Sequence, residues 1–175
     1  MIIVPINHFG HSGLVRPVEK DTCYDWNHLQ IERLEELMKL DLPWRRVGIA
    51  HLQWFEVEKE QEKEFLALED RYFAAFSLCA ARGVGIELNA ASVYYSVPEN
   101  REEYEALRPA KKYSQCVSYD KLLWLFGIAK RAGCKFYIGS DSHTHLRLDW
   151  PARVLPRLIS DLVLEESDKF IPERS

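Results

Sequence analysis

The stretch Phe136 to Leu146 reads FYIGSDSHTHL, an apolar run that ends in serines, a carboxylate and two imidazoles. A turn needs Gly, Asn or Ser. It does not need Asp141, His143 and His145 within five residues. Asp141 and His143 leave one predicted strand at i, i+2 spacing, so they face the same way. Related side chains follow other apolar runs: Asn7, His8 and His11 after Met1–Ile6, His51 after Arg46–Ala50, and Glu87 with Asn89 at the end of the third run. Five of the six histidines therefore stand just past a predicted strand end, and the sixth, His28, stands in a helix start. Neutral imidazole and carboxylate gathered in one place are ligands for a divalent Zn, Mn or Fe ion. A cation held this way, with a water position left open, makes hydroxide available near neutral pH. No cysteine stands among them, which argues against a structural cage of thiolates. Plainer roles stay open at each position. His8, His11 and His51 could be turn residues, and His145 could simply be exposed. Glu87 could be a buried carboxylate satisfied by backbone amides, and Asn89 a turn-former.

The elements that must position these residues alternate. Met1–Ile6, Arg46–Ala50, Val84–Leu88 and Lys135–Gly139 are short apolar runs that read as buried strands. Between them lie helical periods. Asn27 is predicted to cap a helix to about Leu40, carrying Ile31, Leu34, Leu37 and Met38. A long helix is predicted from about Val57 to Arg82, with Phe65, Leu68, Tyr72, Phe76 and Cys79 at steps of three or four. Gly83 suits the left-handed residue after it. Ser118 is predicted to cap the next helix, with Leu122, Leu125, Phe126 and Ala129 on its apolar face and Gly133 at its end. Pro151 opens the last helix, which carries Val154, Leu155, Leu158, Ile159 and Leu162. Alternation of this kind implies an α/β fold with about four parallel strands flanked by helices. Right-handed crossovers then bring the C-terminal ends of the strands to one rim.

A length of 175 residues favours one domain. The net charge of −4 argues against a general nucleic-acid binder, which needs a basic face. No apolar window is long enough to span a membrane, and MIIVPINHFG lacks the basic start and apolar length of a signal peptide. Cys23, Cys79, Cys116 and Cys134 are widely spaced, with no C-x-x-C. They read as free thiols in a reducing cytoplasm.

Two stretches, GVGIELNAASVYY and AGCKFYIGSDSHTHL, resemble the PHP (polymerase and histidinol phosphatase) family. The first matches its strand ending in Glu-x-Asn, here Glu87 and Asn89. The second matches its strand ending in Ser-Asp-x-His, here Ser140, Asp141 and His143. VGIAHLQ resembles the family's strand ending in a metal-binding histidine, here His51. MIIVPINHFG resembles the preceding strand, whose histidine would be His8, with His11 in competition. The resemblance covers most of Arg46 to about Val163. It implies a partial (β/α) barrel of PHP type, a single domain over 1–175 from which the family's N-terminal His-x-His strand and further ligands are absent. It further implies metal held by His8, His51, Asp141 and His143, with Asp141 or His143 handling the leaving-group proton. Glu87, Asn89 and Ser140 would stand behind them or touch substrate. The activity implied is hydrolysis of a small phosphorylated substrate by metal-activated water. The alternative is a non-catalytic half-barrel that binds a partner chain. The family often places a phosphate-binding Arg in the region that here holds Arg101, Arg108, Lys111 and Lys112, though a solvated charged excursion is the plainer reading of that segment. An open half-barrel would leave Met1–Ile6 as an exposed apolar edge, to be covered by a second copy or a partner chain.

Overall fold

The structure, a computed structural model, describes residues 1–6, 23–54, 63, 66–97, 100, 118–142, 145 and 148–173. Four strands, β1 (Ile2–Pro5), β2 (Val47–Ala50), β3 (Gly85–Asn89) and β4 (Lys135–Gly139), form one all-parallel sheet in the order β1-β2-β3-β4. Among the described residues, five helices flank it: α1 (Cys23–Leu37), α2 (Glu69–Arg82), α3 (Ala90–Ser96), α4 (Tyr119–Arg131) and α5 (Trp150–Asp161). Among the described residues, no helix is long and apolar enough to cross a membrane.

Because each strand pairs with the next in sequence, every crossover runs in one direction and its helix falls on the same side of the sheet. Val47, Ile49, Ile86, Leu88 and Phe136 face that side. They join Ile31, Leu34, Tyr72, Phe76, Leu122, Leu125 and Phe126 in one core. Trp54 fills its upper corner, edge-on to Trp124 at 4.8 Å.

The opposite face is built differently. Gly48, Gly85 and Gly139 share it with Glu87 and Tyr137, by register and strand alternation. Each glycine lies beneath a larger group. A methyl on Gly48 would stand 2.7 Å from the Tyr137 ring, one on Gly85 would overlap Phe170, and one on Gly139 would overlap the Glu87 carboxylate. Phe170 arrives on the C-terminal segment, which lies along the outer edge of β4. Its amide donates to the Phe136 carbonyl at 2.7 Å.

Several boundaries differ from the sequence expectation. α1 begins at Cys23, so Asn27 is not its cap but a fully buried residue in its second turn, whose carbonyl accepts the Tyr72 hydroxyl at 3.3 Å. The helix also stops at Leu37 rather than Leu40. α2 begins at Glu69, after a turn at Ala67 and Leu68, and most of 55–65 lies outside the described residues. Ser118 occupies the N-cap position of α4 in extended geometry, but its side chain makes no capping hydrogen bond. α3 was not anticipated. Its sequence, AASVYYS, is rich in residues that favour strands. What starts it is a side-chain cap: Asn89 accepts the Ser92 amide at 2.9 Å.

On the edges, Ile2 and Ile3 are 45% and 46% exposed, and Ile138 is 57% exposed. Cys79 and Cys134 are free and buried. Cys23 and Cys116 carry no described side chain.

Candidate functional site

The C-terminal ends of β2, β3 and β4 meet through one carboxylate. Glu87 on β3 is 6% exposed. Its Oε2 accepts the His51 amide at 2.8 Å and the Asn89 side-chain amide at 3.0 Å. The carboxylate also occupies the space above Gly139 on β4, so that strand can carry no side chain there. Burying a carboxylate is costly unless donors surround it. Here a backbone amide of one neighbouring strand and a side-chain amide of its own strand supply them.

Above this carboxylate His51 and Asp141 come together. His51 Nε2 lies 3.5 Å from Asp141 Oδ1, with side-chain exposures of 18% and 24%. A direct charge-assisted bond is shorter, about 2.7–2.9 Å. Both residues have left-handed backbones, with φ of 62° at His51 and 48° at Asp141. Outside glycine that conformation is uncommon, and Asp and His are among the residues that adopt it most readily. The third described case, Val163 with φ 53°, has an ordinary cause. It follows α5, and the Leu164 amide returns to the Ile159 carbonyl at 3.0 Å, which closes a helix end. His51 and Asp141 follow strands, where no helix end asks for the turn. Backbones of this kind cluster where a chain aims side chains at a ligand.

The loop that carries Asp141 is pinned locally. Ser140 Oγ accepts the Ser142 amide at 3.2 Å and so spans Asp141. His145 is exposed, in a single turn beyond the pair. His8, His11 and His143 lie outside the described residues, as do Arg101, Arg108, Lys111 and Lys112. Among the described residues no group of three or more His, Cys, Asp or Glu side chains is placed to hold a metal ion. The described part of the proposed ligand set is thus His51 with Asp141.

Behind the pair runs a polar chain that the sequence reading did not single out. Asn89 Oδ1 accepts the Ser92 hydroxyl at 3.1 Å, and Ser92 Oγ accepts from the Gln53 side chain at 2.8 Å. Gln53 exchanges two backbone bonds with the Gln30 side chain, at 2.7 and 2.9 Å, and Gln30 donates to the Tyr72 hydroxyl at 3.1 Å. The segment after His51 is thereby tied to α1 and α2. Its signal in the sequence was weak: Gln53 stands two residues after His51, and Gln30 shares its buried helix face with Asn27 and several aliphatic residues. Arg33, one turn further along α1, reaches the Ile6 carbonyl past the end of β1 at 3.0 Å. Burial lowers its pKa from the ordinary arginine value.

Burial also raises the Tyr137 pKa, and the nearby Glu87 charge raises it further. The Tyr137 hydroxyl is buried over Gly48 with no hydrogen-bond partner among the described residues. A cavity of about 410 Å³ lies beside β4, bordered by Leu88, Ile138, Ile159, Leu164 and Phe170. Glu165, Glu166, Asp168 and Lys169 also line it, and neither His51 nor Asp141 does, so it is separate from the rim.

No family model, no curated protein and no solved structure matches this chain.

Proposed function

We propose that this chain is a metal-dependent phosphoesterase of the PHP type: a partial (β/α) barrel whose rim binds a divalent Zn, Mn or Fe ion and hydrolyses a small phosphorylated substrate. The observation that carries the reading is the pairing of His51 with Asp141 at the C-terminal rim, on two left-handed residues. Two donor atoms about 2.0–2.1 Å from one tetrahedral cation stand roughly 3.3 Å apart. The 3.5 Å between Nε2 and Oδ1 suits a shared ion better than a direct hydrogen bond. The strand order lends further support. It runs β1 to β4 without the reversal that marks a doubly wound sheet, as the wall of a barrel does.

In this reading His51 and Asp141 hold the ion together with His143 and His8, His11 competing with His8. When bound, such an ion supplies an acidified water and offsets charge on the phosphoryl oxygens. Asp141 or His143 handles the leaving-group proton. Ser140 fixes the turn that presents Asp141, and Asn89 anchors Glu87. Buried free thiols at Cys79 and Cys134 are in keeping with a reducing cytoplasm as the place of work.

The test is metal content of protein purified without chelator, with hydrolysis of a small aryl phosphate in added Mn²⁺ or Zn²⁺. Asp141→Asn keeps the shape and removes the charge. Metal affinity and turnover should fall together, by about 10–100-fold or more, since losing even an outer partner costs that much. His145→Ala should cost less. A wild-type protein with no metal-stimulated hydrolysis would replace this reading with the alternative, a non-catalytic half-barrel that binds a partner chain.

A further inference from the structure

Glu87 does more at the strand ends than satisfy its own burial. It touches the amide of His51 on one side and fills the space over Gly139 on the other, two residues before Asp141. Both members of the pair have left-handed backbones. The Ala50 carbonyl accepts the Ile6 amide on the β1 side, so the His51 amide of the same peptide points at β3, where Glu87 Oε2 accepts it at 2.8 Å. On β4 the absence of a side chain at Gly139 lets the carboxylate lie flat against the strand. Any Cβ at that position would collide with it. We infer that Glu87 is a positioning residue: its carboxylate locks His51 in the left-handed turn and seats β4 closely enough to bring Asp141 to His51. The inference deepens the proposed function and rests on the reading of His51 and Asp141 as the working pair.

The lock is a hydrogen bond and a shape, so Gln serves where Ala does not. A glutamine carbonyl accepts the His51 and Asn89 donors that Oε2 accepts now, and its amide group fits above Gly139. Glu87→Gln should keep the left-handed φ at His51, the close approach to Asp141 and Zn²⁺ affinity within a few-fold. Glu87→Ala should release the His51 backbone toward the extended region, open the 3.5 Å separation and weaken Zn²⁺ binding about 10–100-fold. Gly139→Ala tests the same lock from the other strand without touching a carboxylate, and it keeps the question open if Glu87→Ala does not fold. It should displace Glu87 and weaken Zn²⁺ binding as Glu87→Ala does. In a Glu87→Ala background, the same Gly139→Ala change should cost almost nothing, because the group it strikes is gone.

The measurements are crystal structures of the variants and calorimetric titration with Zn²⁺ alone. The inference is overturned if Glu87→Ala or Gly139→Ala leaves the His51 turn and the separation unchanged. It is overturned equally if Glu87→Gln is as damaging as Glu87→Ala, which would make the charge itself the working feature. If wild type binds no Zn²⁺, the proposed function fails while the variant structures still decide this point.

Discussion

The two faces of the sheet solve the same problem in opposite ways. On the helix side, Val47, Ile49 and Ile86 are wholly buried against aliphatic and aromatic side chains from three helices. On the other side, Gly48, Gly85 and Gly139 have no side chains at all, and one ring, another ring and a carboxylate lie over them. The first face gets its stability from many interchangeable contacts. The second depends on a few groups in particular places. That thinness lets a carboxylate reach three strands at once.

The comparison can be broken from the packed side first. Phe126 is fully buried in the helix-side core. Phe126→Ala should cost about 3–5 kcal/mol in denaturant unfolding, since the emptied volume can collapse only partly. Gly85→Ala on the thin face should cost less, about 1–3 kcal/mol, because it forces the Phe170 ring aside rather than emptying a core. Phe170→Ala should then make Gly85→Ala nearly neutral. If Gly85→Ala costs as much as Phe126→Ala, the two faces are equally rigid and the contrast fails.

The smallest effect sharpens the contrast through pH. Burial raises both helix-side thiols, Cys134 to about 12 from an ordinary value of 9.0, and Cys79 further. A raised folded value stabilises the fold fully below the unfolded value and loses that contribution as pH rises past it. Stability should therefore start to fall near pH 9 and keep falling toward 12. At pH 9.5 the loss should be of order 1 kcal/mol per thiol. Cys134→Ala should flatten the decline measured by urea unfolding across pH 8–10. An unchanged slope would mean that these thiols are not buried as described.

Much of the helix-side face was legible in the sequence, because aliphatic periodicity reports burial directly. The run Lys135–Gly139 is a strand as read, and Tyr72, Phe76 and Cys79 are buried on α2 as their spacing suggested. The closeness of His51 and Asp141 followed from parallel strands ending on one rim. Two plainer alternatives were also open from the start. Glu87 is a buried carboxylate that takes one backbone amide and one side-chain amide, whereas Asn89, read more plainly as a turn-former, is a helix cap. What could not be read was long-range and specific. Nothing local marks Phe170 as the ring that covers Gly85, or the C-terminal segment as a neighbour of Phe136. Asn27 looked like a cap because its residue type caps well, while its burial depends on Tyr72, 45 positions away.

The all-parallel order has a consequence for the time course of folding. No two neighbouring strands are joined by a hairpin, so every pairing must wait for a long loop to close. The bond from His51 to Glu87 spans 36 residues, and the ion pair of Arg45 with Glu173 spans 128. A hairpin protein can assemble a site early from local pieces. Here the Glu87 contacts join β2, β3 and β4, so the rim cannot exist in a chain that has docked only two of them. Competence to bind should therefore appear in refolding with the last strand rather than before it. A stopped-flow record in which ligand binding precedes sheet formation would contradict that order.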